Sequence, residues 1–193
     1  MLAFAVVATL VLGAMGAGLI TVSNTEATIA SNYRVSSELA YAAEAGASVA
    51  IADLGRAGSW TNVLTGLVRS TFCDTTLSPV LSSGDRLNLA AQTTLLQTAS
   101  DAFAQRGADN PRWRLFLYQP LAAIARTPLA SSYVVVWVAD DAAEADGDAQ
   151  SDSNGLIALR AEAFGPQGMQ RTIDATLVAD GSGVRLVSWR DVR

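Results

Sequence analysis

MLAFAVVATLVLGAMGAGLITV, Met1–Val22, runs without an intervening proline into SNTEATIASNYRVSSELAYAAEAGASVAIADL, Ser23–Leu54, and this stretch decides how the rest of the chain is read. The first segment has no charged side chain. About 20 apolar residues suffice to cross the hydrocarbon core of a bilayer as a helix. The second segment is rich in Ala and carries isolated charges. Within it Ile29, Tyr33, Ser36, Ala40, Ala43, Ala47, Ala50 and Leu54 recur at alternating steps of four and three, a helical seam whose small side chains permit close approach by a neighbour. Read as one helix at a rise of ~1.5 Å per residue, the two segments span about 80 Å, against some 30 Å for a small domain. Such a helix needs lipid at one end and partners along its length.

The remainder of the chain reads as a mixed α and β domain. Gly55 and Gly58 are the expected stops of the long helix, and Trp60 is expected to plug the core beside it. A short helical segment from Ser59 to about Arg69 and a loop over Phe72–Gly84 follow. Leu87–Arg106 predicts an amphipathic helix with Leu89, Leu95, Leu96, Ala99 and Phe103 on one face, ended by Gly107. Strands are predicted at Trp113–Tyr118, Tyr133–Val138, Leu156–Phe164, Gln170–Val178 and Val184–Trp189, with turns at Gly165–Gly168 and at Asp180-Gly181 and a connection through Pro128. Short connections favour an antiparallel meander. One sheet face is expected on the C-terminal part of the long helix, the other toward solvent or a neighbouring subunit.

Several function classes are disfavoured by composition. The net charge of −5 gives no nucleic-acid footprint. The chain has no His, the commonest general base and metal ligand near neutral pH. Neither a GxSxG, a phosphate-binding loop nor a CxxC is present. Glu162 and Asp174 alternate with apolar neighbours and read as an exposed sheet face, with Arg112, Arg114, Arg160 and Arg171 as candidate cross-strand partners. Cys73 is the single cysteine and is expected to be a small core residue. A non-catalytic protein is expected. A secretory signal peptide is disfavoured, because no positive charge precedes Arg34.

TEATIASNYRVSSELAYAAEAG, Thr25–Gly46, following an uncharged helix, resembles the N-terminal region of PilX-type minor pilins, where Thr-Glu, Asn-Tyr-Arg and Ala-Ala-Glu-Ala-Gly fall in the same order. Gly58–Phe72, Asn110–Ile124, Tyr133–Asp148 and Leu159–Leu177 resemble later blocks of a subset of these proteins. The resemblance implies an α+β, type IV pilin-like fold: an apolar helix half over 1–22, its amphipathic continuation over 23–55, and a globular head over 56–193. It also implies a structural subunit that sits in the inner membrane as a single-pass protein and then enters an extracellular filament beside other pilins. Assembly contacts are expected at Phe4, Val7, Leu10, Val11, Met15, Leu19, Ile29, Tyr33, Ala40, Ala43, Glu44 and Ala47. Gly13, Gly16 and Gly18 are read either as close-packing positions or as a point where the helix unwinds. Precursors of the family carry a basic leader, and none precedes Met1, so a processed chain or a differently placed start is expected. The early Glu of major pilins is absent, the first acidic residue being Glu26, which suits a minor subunit. The alternatives are a type II secretion pseudopilin and a single-span anchored binding module.

ADDAAEADGDAQSDSNG, Ala139–Gly155, lies between two predicted strands and offers side-chain oxygens from Asp140, Asp141, Glu144, Asp146, Asp148, Asp152 and Asn154. Calcium takes six to eight oxygens at about 2.3–2.6 Å. Asp140, Asp141, Asp146, Asp148, Asp152 and Asn154 are the candidate ligands, and calcium the one candidate cofactor. A complete EF-hand is absent, since Ile157 stands at the twelfth place from Asp146. The competing reading is a solvated loop built from turn-forming residues.

Overall fold

The computed structural model describes residues 1–103, 107–126, 131–180 and 183–192; the expected end of the amphipathic helix at 104–106, Pro128 and Gly181 lie outside them. The fold is α+β. A single helix, α1 (Leu2–Leu54), is followed by α2 (Trp60–Leu64), α3 (Leu89–Phe103), β1 (Arg114–Pro120), α4 (Leu121–Ala125), β2 (Tyr133–Asp140), β3 (Leu156–Phe164), β4 (Gln170–Asp180) and β5 (Gly183–Val192). The strands form one antiparallel meander in the order β1-β2-β3-β4-β5. The chain divides into two compact units, Met1–Ser37 and Glu38–Arg193, so Glu38–Leu54 of α1 belongs to the head.

Within the head, α1 buries Leu39, Ala42, Ala43, Gly46, Ala47, Ala50 and Leu54. The small side chains let the helix backbone come close to the sheet. Gly46 marks the closest approach: a Cβ there would collide with Val134 Cγ1 and touch Val136. Leu39 closes the other end of this contact, packed on the backbone of Gly165 in the β3–β4 turn. The opposing strand, YVVVWVAD, is buried along its whole length. Strand pleating sends Val134, Val136 and Val138 to the helix side and Tyr133, Val135 and Trp137 to the other. At the end of α1, Gly58 takes the left-handed backbone conformation, and the buried Trp60 indole Nε1 donates to the Leu54 carbonyl at 3.2 Å.

The second sheet face is not left to solvent at β1 and β2, as the sequence suggested. Leu87, Leu89 and Leu96 cover it, forming a core with Tyr118, Tyr133, Val135, Trp137 and Phe164. Asn88 Oδ1 accepts the Ala91 N–H at 3.0 Å and caps α3. The Trp137 Nε1–H donates to Thr93 Oγ1 at 2.8 Å, so a polar residue of α3 orients the largest side chain in the sheet. The buried stripe of α3 is narrower than the expected one. Leu95 and Ala99 are exposed, because they fall beside the Leu89–Leu96 line and not on it, and Phe103 is exposed because it lies past the covered core.

Candidate functional site

Three regions are candidates for function. The first is Met1–Ser37. Phe4, Val7, Leu10, Val11, Met15 and Leu19 are all exposed, as are Ile29 and Tyr33. Over Met1–Val22 apolar side chains surround the helix, and a helix hydrophobic all round is a membrane span or is buried by partners. Its threonine hydroxyls are satisfied within the helix: Thr9 and Thr21 donate to the carbonyls of Ala5 and Ala17, each at 3.0 Å, and Thr25 to that of Thr21 at 2.9 Å. That removes the cost of an unpaired donor in lipid. By length and composition this helix suffices to cross a membrane, as an anchor or as a signal-like segment. Gly13, Gly16 and Gly18 have open space around their Cα atoms.

The remaining seam positions divide. Glu44 is exposed and Ala40 half-buried, whereas Ala43 and Ala47 are fully buried under the chain's own sheet. Ala43 and Ala47 are therefore closed off within the head, against the expectation that they meet a neighbouring helix. Two of the isolated charges of this half, Asp53 and Glu38, are tied into the head. Asp53 accepts from Arg56 Nη1 at 2.9 Å and from the Ser70 hydroxyl, and Glu38 Oε1 lies 3.4 Å from both the backbone N and the hydroxyl of Ser131.

The second region is the polar part of the sheet beyond α3. Arg160 Nε donates to Asp174 Oδ1 at 2.6 Å, and Arg190 Nη2 to Asp174 Oδ2 at 2.9 Å. Burial acts to raise the Asp174 pKa, but the hydrogen bonds from Arg160 and Arg190 outweigh it and hold the carboxyl below its ordinary value. Of the expected cross-strand partners Arg160 is used. Arg114 donates to Gln150 Oε1 instead, at 3.2 Å. This ladder floors an open groove of about 720 Å³ whose walls include Phe103 and Trp113. Cys73 is half-buried against the core under α3: its thiol donates to the Phe116 carbonyl at 3.4 Å, and burial raises its pKa. Such a thiol is a poor nucleophile.

The third region is the acidic corner where β2 ends. Asp140, Asp141 and Glu144 are all buried, and one oxygen from each lies within 4.8 Å of the others. Asp140 Oδ1 accepts the Asp141 N–H at 3.0 Å. Asp141 accepts the Asn154 amide at 2.7 Å and the Ala143 N–H at 2.9 Å. Glu144 Oε1 accepts the Ser153 N–H at 2.9 Å, while its Oε2 is buried with no hydrogen-bond partner among the described residues. Among the described residues no Arg forms an ion pair with any of the three. Burial, then the charge of Glu144, pushes Asp140 up to about 7. Burial likewise raises Glu144. Two like charges at this spacing repel by roughly 3–4 kcal/mol at an effective dielectric near 20, so three bare carboxylates here are strongly disfavoured.

The structure regroups the ligand set read from sequence. Asp140 and Asp141 come together. Asp146 and Asp148 are exposed, and each closes a turn by accepting a backbone N–H two residues on, at 2.9 and 3.0 Å. Their one-residue skip is turn chemistry. Asp152 accepts the Gly155 N–H at 2.7 Å, and Asn154 spends its amide on Asp141 and its oxygen on the Leu156 N–H. Glu144 is the residue that sequence reasoning counted as an oxygen source and left out of the ligand set; only its burial singles it out.

No protein-family model, curated protein or solved structure matches the chain.

Proposed function

We propose that this chain is a pilin-like structural subunit, non-catalytic, that waits in the inner membrane and assembles into a type IV pilus-like extracellular filament through the first half of α1. The observation that carries the reading is the division of one uninterrupted helix, Leu2–Leu54. Its first half keeps large apolar side chains exposed, and its second half spends small side chains on an antiparallel sheet. A subunit that packs helix against helix needs an exposed apolar helical surface, and the first half of α1 carries one. The likeness of Thr25–Gly46 to PilX-type minor pilins supports the same assignment.

Photo-crosslinking in the native cell tests it. A benzophenone side chain placed at Phe4 or Leu10 is expected to give adducts with the helix of another subunit, in filaments as well as in the membrane. Adducts restricted to lipid under filament-forming conditions would overturn the reading. They would favour a membrane-anchored binding module, for which the groove over Arg160, Asp174 and Arg190 is the specific supporting feature.

A further inference from the structure

We propose that Asp140, Asp141 and Glu144 bind one hard divalent cation, calcium in preference to magnesium, at the corner where the chain leaves β2. The three side chains are buried together, and their converging oxygens lie within 4.8 Å of one another. Two ligands on opposite sides of a calcium ion are themselves ~4.6–5.2 Å apart, given its ligand distances of about 2.3–2.6 Å.

The second observation is independent of clustering. Glu144, which is 7% exposed, leaves Oε2 buried and without a partner. Buried polar atoms are nearly always satisfied, and an exception calls for a missing partner such as an ion. The nearby hydrogen bonds are already assigned: Ser153 holds Glu144 Oε1, and Ala143 and Asn154 hold Asp141. No described Arg supplies a counter-charge.

The donor set selects the ion. All the side-chain donors are carboxylates, a hard set that suits calcium, magnesium or manganese and not zinc, which prefers nitrogen and sulfur. Magnesium demands near-ideal octahedral geometry at about 2.0–2.1 Å and gives up water reluctantly. Three carboxylates grouped on one short segment, with backbone carbonyls and water to complete the shell, fit the looser demands of calcium. The bound ion would pin the long β2–β3 connection at both ends, since Glu144 and Asp141 also grip Ser153 and Asn154.

The test uses the full chain in detergent micelles, stripped of metal with a chelator and then titrated with calcium chloride or magnesium chloride by calorimetry. The expected result is one calcium per chain, bound more tightly than about 1 mM, with magnesium at least tenfold weaker. Saturation should raise the unfolding temperature by several degrees. Glu144→Gln should weaken calcium at least tenfold, and its metal-free unfolding temperature should equal or exceed that of the metal-free parent, because a buried unpaired charge is gone. If that variant does not fold, Asp141→Asn must show the same loss. Asp146→Asn with Asp148→Asn should leave affinity unchanged. No heat and no stabilisation at millimolar calcium would overturn the proposal. So would binding that survives Glu144→Gln and is lost with Asp146 and Asp148, which would indicate diffuse attraction to the exposed loop.

Discussion

Met1–Ser37 and Glu38–Leu54 share one helical backbone and solve opposite problems. In the first, Phe4, Leu10 and Leu19 stand exposed and glycines at 13, 16 and 18 touch nothing. In the second, Ala43 and Ala47 are fully buried and Gly46 has no room for a single added carbon. The large apolar residues named in the first half form an exposed surface, and the alanines and glycine named in the second lie in a closed interior. Hydrophobicity alone does not separate the two.

The sharpest way to break this contrast is to put the same change on both sides. Gly46→Val should destabilise the head by about 3 kcal/mol or more, or prevent folding, since a close-packed core must move to admit the side chain. Gly16→Val should leave the unfolding of the head unchanged. Thermal unfolding of the full chain in micelles compares them, and equal effects would end the distinction. Leu39→Ala comes next, with a loss of about 3 kcal/mol from an emptied core position; Phe4→Ala should cost the head nothing and weaken assembly. Leu10→Arg should cost about 2.5–3.5 kcal/mol of membrane insertion, read by glycosylation or protease mapping of the inserted helix, with the head still folded.

A smaller effect comes from the sheet. Asp174 has its carboxyl held below its ordinary value by Arg160 and Arg190. A depressed carboxylate binds fewer protons in the folded state than in the unfolded state. Its contribution is thus complete above the unfolded value of about 3.9 and is lost as pH falls through the folded one. Asp174→Asn should lower the unfolding temperature at pH 7 and flatten its decline below about pH 4, with membrane insertion unaffected. The smallest effect expected is that of Thr21→Val, whose hydroxyl is already spent on the Ala17 carbonyl; insertion should be unchanged or slightly improved.

The two regions also differed in how far the sequence could be read. The apolar run, the Val-rich β2 and the β3–β4 turn all follow from local rules, because chain-neighbour chemistry sets them. The second sheet face does not. Its cover depends on Thr93 reaching Trp137, a contact between residues far apart in the chain. Leu95 and Leu96 are equally apolar, and only the path of α3 over the sheet decides that one is buried and the other exposed. The acidic corner shows the same limit. Six carboxylates and an asparagine were visible between Asp140 and Asn154, but burial, which separates Glu144 from Asp146, is a property of the fold. Asp146-Gly147-Asp148 has the one-residue skip of a calcium loop, and in the structure that pattern makes turns.

The most direct measurement of the central claim is mass spectrometry on filaments sheared from the native cell, including the peptides of the first half of α1. The account predicts that the chain is present in the filament fraction with its apolar helix intact, at low abundance relative to the main subunit. Its absence from filaments, with the whole chain retained in the inner membrane of cells that are making them, would contradict it.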